Sequence, residues 1–174
     1  YLEEIVTNII DCPYAELAPY HEKISNISVD KRFLIVRKLG LAILMLKDAL
    51  GDNSKWKWSF VELEGRFTTV SKNLIDMKAA GRDYFDPSCA AYESTVLYIR
   101  QILKSLNVSA SAYRDKYELS TRRIDDMRDA IKFLLALRKL YIVLGNSTEA
   151  EEIKKKALVW KDKMDSDHKK GLSN

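Results

Sequence analysis

Cysteine, histidine, proline and glycine are all scarce in this chain, and each scarcity excludes something. The two cysteines, Cys12 and Cys89, are widely separated and form neither a disulfide framework nor a C-x-x-C motif. They read as free thiols, which predicts a reducing compartment, cytoplasmic or nuclear. The two histidines, His21 and His168, lie near opposite ends, so spacing assembles no Ser/His/Asp or Cys/His site and no His-containing metal motif of the bundle type. No catalytic residue, metal or cofactor is therefore expected. Six glycines and three prolines in 174 residues are too few for the tight turns of an all-β fold. A Gly-rich phosphate loop is missing as well. The longest apolar run, Leu39 to Leu46 counting Gly40, falls far short of the ~20 residues that cross a bilayer. A net charge of only +4 is mild and argues against a nucleic-acid partner. The chain begins at Tyr1 without a Met, and we expect it to be an excised part of a longer protein.

What is present is apolar residue at helical spacing: 47% of the chain is apolar and 31% charged, enough for one core. Trp56, Phe60, Leu63, Phe67, Val70, Leu74 and Met77 alternate in steps of four and three. Tyr92, Val96, Ile99, Leu103 and Leu106 do the same, as do Tyr113, Tyr117, Ser120, Ile124, Met127, Ile131 and Leu134. Ala150, Ile153, Ala157, Trp160 and Met164 form a last seam. Strands would alternate with period two; a 3–4 alternation keeps a narrow seam against a neighbouring helix at a shallow angle. Phe33–Leu50 and Ala130–Leu144 are apolar nearly all round, which predicts two central helices buried by several neighbours. Leu2, Ile5, Val6, Ile9 and Ile10 suggest a short helix stopped by Pro13, and residues 14–24 a second one.

Break signals divide these segments. Gly51, Gly81 and Gly145 sit where a helix takes a left-handed residue after its end. Asp86-Pro87 reads as an N-cap with Pro at the first helical position, Asn107-Val108-Ser109 as a break, and Thr148 with Glu151 as a capping box. The expected fold is all-α: an antiparallel bundle of about seven helices with two apolar central ones, the longest helix running from about 109 to 144. Residues 1–164 would form one domain and 165–174 a frayed polar tail.

Charge is unevenly spread. Residues 1–27 carry five acids and one Lys, whereas 28–82 have a net charge of +5. Lys31, Arg32, Arg37 and Lys38, with Lys154, Lys155 and Lys156, are the candidate basic patch. Trp58 with Lys55 and Lys57 is the candidate partner-binding cluster, because Trp56 and Phe60 belong to the inward seam and Trp58 does not. Asp125-Asp126-Met127-Arg128-Asp129 resembles the D-D-x-x-D motif of prenyl-diphosphate and terpene synthases, whose carboxylates bind Mg²⁺ and diphosphate. Those enzymes need a second acidic motif on a facing helix, which this chain lacks, so the stretch reads as solvated surface.

Leu137, Leu140 and Tyr141 followed by Gly145, Ala150, Ile153, Ala157 and Leu158 reproduce a Gly-x4-Ala-x6-Ala-Leu pattern. Residues 130–160 thus resemble the second half of a tetratricopeptide repeat and are similar to the microtubule-interacting-and-trafficking (MIT) hairpin. That resemblance implies a helical hairpin that binds peptides or helices of other proteins. The sequence accordingly predicts a non-enzymatic interaction module of a scaffold, trafficking or regulatory protein, taking a partner helix or peptide in an inter-helix groove. The alternative is a helical module on an anionic membrane surface, motivated by the long 109–144 helix and the basic residues.

Overall fold

The computed structural model describes residues 24–51 and 55–171. Among them are six α-helices and one π-helical turn, with no strand: α1 (Val29–Leu50), α2 (Lys57–Asn73), α3 (Met77–Asp83), α4 (Tyr92–Lys116), the π turn (Tyr117–Thr121), α5 (Ile124–Val143) and α6 (Ser147–Lys169). The fold is all-α. The short helices expected over residues 2–10 and 14–24 fall, all but residue 24, outside the described residues. The chain divides into two compact units, Tyr1–Ile102 and Leu103–Asn174.

In the first unit, Ser28 caps α1 by accepting the Lys31 N–H at 3.4 Å, and Gly51 ends the helix with a positive φ of 80°. α1 packs on α2, and they approach closely at Gly40, where a Cβ would stand 3.0 Å from Phe67 Cζ. The core gathers Phe33, Val36 and Ile43 of α1, Phe60, Val61 and Val70 of α2, Ile75, Ala80 of α3, and Tyr98, Ile99 and Ile102 of α4. Phe33 stacks on Tyr98 with ring centroids 5.5 Å apart. The buried Tyr98 hydroxyl donates to the Ser71 carbonyl at 2.8 Å, and burial pushes its pKa well above the ordinary tyrosine value.

Three expectations fail in this unit. Gly81 does not end a helix; it lies inside α3, which Asp76 caps by accepting the Lys78 and Ala79 N–H groups. Asp86-Pro87 does not open a helix either. The Asp86 carboxylate takes the Ser88 N–H at 3.0 Å and the Ser88 hydroxyl, closing a local Asx turn, and α4 begins only at Tyr92. Finally, α1 is not buried on most sides. Its buried residues are Arg32, Phe33, Val36 and Ile43, along one side only.

In the second unit, α4 runs straight through Asn107-Val108-Ser109, with Ser109 buried beside Leu106 and Ala110. Asn and Ser are only moderately poor helix formers, each costing at most about 0.7 kcal/mol, and the burial of Leu106, Ala110 and Tyr113 outweighs that. The single long helix expected over 109–144 is interrupted. The π turn ends in an Arg122 N–H to Tyr117 carbonyl bond of 3.1 Å, and Arg122 adopts φ 54°, reversing the chain before α5. No Gly or Pro marks this place, so no breaker in the sequence could reveal it.

α5 and α6 form a hairpin, antiparallel because Arg138 approaches Glu151 near one end while Tyr117, just before α5, meets Asp167 near the other. At its tip the Asn146 N–H bonds to the Tyr141 carbonyl and the Gly145 N–H to that of Ile142, a Schellman closure with Gly145 at φ 72°. Met127, Ala130, Leu134, Leu137 and Leu140 of α5 and Ala150, Ala157 and Trp160 of α6 are buried. Leu135, Ile142 and Val143 are exposed, so α5 too is buried along one face only. The Thr148–Glu151 capping box does not form: α6 starts at Ser147, and Glu151 pairs with Lys154 at 3.2 Å. The stretch expected to fray after residue 164 continues as helix to Lys169, with Asp167 buried.

Candidate interaction surface

α1 carries two 3–4 seams. Phe33, Val36, Gly40, Ile43 and Lys47 follow one another at helical spacing and face the core, being buried or half-buried. Leu34, Lys38, Leu41 and Met45 form a second seam about 150° round the helix, and all are exposed. Leu41 is 57% and Met45 63% exposed, and Ile35, Leu44, Leu46 and Leu50 join them around the outward side. From Leu34 to Leu50 this strip is about 24 Å long and about 10 Å wide, a few hundred Å². That is the scale at which an apolar patch on a protein marks an interaction site. The sequence signal was available: a helix apolar all round carries two faces, and a bundle with fewer neighbours than expected leaves the second one open.

The basic candidates divide. Lys31, Arg37 and Lys38 are exposed on the N-terminal half of α1, Lys38 within the outward seam and Lys31 and Arg37 beside it. Arg37 also sits over the Phe33 ring, 5.6 Å from its centroid. Arg32 is no part of a surface patch. It is buried and donates through Nη2 to the Ile24 carbonyl at 2.6 Å, through Nε to Ile27 at 2.8 Å and through Nη1 to Leu74 at 3.2 Å. Its place in the helix turns it inward beside Phe33 and Val36, where it supplies donors to these three carbonyls. Lys154 and Lys155 are exposed on α6 of the other unit, where Lys154 pairs with Glu151; Lys156 lies over the Trp160 ring at 4.9 Å.

The tryptophan assignment is reversed. Trp56 is 48% exposed, whereas Trp58 is half-buried, and Lys55 and Lys57 each lie over a tryptophan ring, those of Trp56 and Trp58, at 5.1 and 5.0 Å. Helical spacing placed Trp56 in the inward seam, but α2 begins only at Lys57, so the period does not extend to it.

The acidic stretch is tied into local pairs. Asp125 meets Arg128 at 3.0 Å and Asp129 meets Lys132 at 2.8 Å. Asp126 is buried against Lys116 at 3.0 Å and takes the Thr121 hydroxyl at 2.6 Å. Beside it the Tyr117 hydroxyl donates to Asp167 at 3.0 Å. Lys163, 3.1 Å away, is the main reason the Asp167 carboxyl is held below its ordinary pKa, and Tyr117 adds to it. These groups satisfy one another and hold the π turn against α5 and α6. Among the described residues no three His, Cys, Asp or Glu side chains come together to hold a metal, and no helix is long and apolar enough to cross a membrane.

The model of the TP0443 family matches residues 1–168, nearly the whole chain, so the chain belongs to that family. The matching family is neither that of tetratricopeptide repeats nor that of MIT hairpins. No curated protein and no solved structure matches it.

Proposed function

We propose that this member of the TP0443 family is a non-enzymatic interaction module that docks an amphipathic helix or peptide of a partner protein. The observation that carries the reading is the outward seam of α1, Leu34, Leu41 and Met45 with Lys38 among them, and Lys31 and Arg37 beside it. A partner helix with apolar residues at matching 3–4 spacing would bury the strip, and acidic flanks would meet the three cations. The docking surface is then a helix face rather than the inter-helix groove expected from the sequence. The α5–α6 hairpin, with its Gly145 closure and the small buried Ala150 and Ala157, supports the tetratricopeptide-like comparison as a matter of local architecture.

The test is fluorescence anisotropy with a labelled 20-residue peptide bearing Leu at 3–4 spacing and Glu on both flanks. Binding is expected to be lost in Leu41→Asp and Met45→Asp and to weaken with salt and in Lys38→Glu. Binding that both Asp variants leave unchanged, or no binding at all, refutes the reading. The same basic, apolar face favours a second reading, an anionic membrane surface, although its other support, one helix over 109–144, is gone. Pelleting of the chain with phosphatidylserine vesicles, abolished in Leu41→Asp, would select that reading instead.

A further inference from the structure

We infer that the outward face of α1 takes the same face of a second copy of this chain, the two helices lying antiparallel about a two-fold axis level with Ile43. This inference rests on the docking reading above and names the partner helix.

The outward seam has a symmetry of its own. Lys38, Leu41, Met45 and Asp48 follow one another in steps of three, four and three, and all four are exposed. The seam thus reads cation, apolar, apolar, anion, and its outer pair and its inner pair share one midpoint, at residue 43. A two-fold interface brings residue i of one copy to residue j of the other, and j to i. Turned end for end about that midpoint, Lys38 falls beside Asp48 of the copy and Leu41 beside its Met45, and the symmetry repeats both contacts. A 3–4 seam on each helix is the spacing at which two helices pack side by side at a shallow angle. Within one chain the two charges cannot meet, because ten residues of helix hold them about 15 Å apart.

This arrangement sets no like charges together along the paired stretch. Between residues 37 and 48 the only other charges are Arg37 and Lys47. Arg37 falls level with Ala49 of the copy, and Lys47 turns to its own α2, where it pairs with Glu64 at 3.1 Å. Leu44 and Ala42, exposed on the two flanks of the seam beside the axis, come next to their own counterparts. Lys31 and Leu34 extend past the end of the copy's α1 at Leu50. A parallel pairing in register would instead put Lys38 against Lys38 and Asp48 against Asp48. The strip offers a few hundred Å² per copy, which places the pair among small, transient interfaces, under about 1,200 Å² in total. The dimer is therefore a reversible one that builds up with concentration.

Sedimentation velocity of the full chain tests the inference. The parent is expected to pass from monomer to dimer as concentration rises, and less readily at high salt. Lys38→Asp and Asp48→Lys each make both ionic contacts repulsive, and each alone is expected to raise the dimer dissociation constant about tenfold. Both positions are exposed, so neither change disturbs the core. The two variants mixed one to one again face opposite charges at both contacts, so the mixture should regain the parent's dimer. A parent that stays monomeric at every concentration overturns the inference; if the labelled Leu/Glu peptide still binds, the docking surface stands with a foreign helix as its occupant. A dimer that survives Leu41→Asp, or one that the mixture fails to restore, overturns it as well. A dimer that follows the charge pattern without peptide binding upholds the inference and removes the docking of other proteins.

Discussion

Replacing Arg32 by Met gives the sharpest test of the first unit. The guanidinium makes three hydrogen bonds to carbonyls, at 2.6, 2.8 and 3.2 Å, from a buried position. Hydrogen bonds that involve a charged group contribute about 1.5–3 kcal/mol each, with the longest at the bottom of that range. Against this stands the cost of burying the cation, which Met does not incur, and Met fills much of the same volume. Ile24 keeps the Ile27 N–H as a donor, so the carbonyls of Ile27 and Leu74 suffer most. We expect a net loss of about 3 kcal/mol, read from urea denaturation followed by circular dichroism. Arg32→Lys keeps one donor point in place of a fork and should recover about a third of the loss. Lys38→Met, on the exposed side, should change stability by about 0.5 kcal/mol or less. Amide exchange locates the effect, with faster exchange at residues 24–32 in Arg32→Met. A loss below about 1 kcal/mol, or full recovery with Lys, would refute the reasoning and return Arg32 to the surface patch.

In the second unit, Lys116→Met or Asp126→Asn should each cost about 3–5 kcal/mol in urea denaturation, because each removes the opposite charge from a buried partner. The double variant Lys116→Met/Asp126→Leu should recover most of that loss. Gly145→Ala should cost about 1–2 kcal/mol by the same assay, all of it from the left-handed backbone, since nothing lies within 4 Å of the new Cβ. Tyr98→Phe should cost about 1 kcal/mol near neutrality for the lost bond to Ser71. It should also flatten the alkaline limb. The native pKa of Tyr98 is raised, so above about pH 10 the unfolded chain gives up this proton while the native chain keeps it, and stability falls as pH rises. Stability measured from pH 8 to 11 should therefore decline more steeply in the parent than in the variant.

Helix placement was largely legible because apolar spacing is a local property. Phe60, Val70, Ile99, Leu106, Met127, Leu134, Ala150, Ala157 and Trp160 are all buried as their seams require. Gly51 and Gly145 end helices because only a residue without a Cβ takes positive φ cheaply. Where local rules met competition they failed. The break at Arg122 is set by side chains that meet from separate elements, Lys116 with Asp126 and Tyr117 with Asp167, and no breaker residue records it. The candidate surface was half legible: Lys31, Arg37 and Lys38 are exposed, while the apolar strip with them was read as core.

The chain's poverty in glycine, proline, histidine and cysteine, with its 3–4 spacing, was enough by itself to determine an all-α fold held by apolar seams. Only the tertiary structure decided which seam meets the core. Periodicity defines faces of a helix, but the number of neighbours defines how many of those faces are covered. α1 has two apolar faces and one is buried; Arg32 turns inward to the carbonyls of Ile24, Ile27 and Leu74, and Leu41 and Met45 turn outward on the face left over.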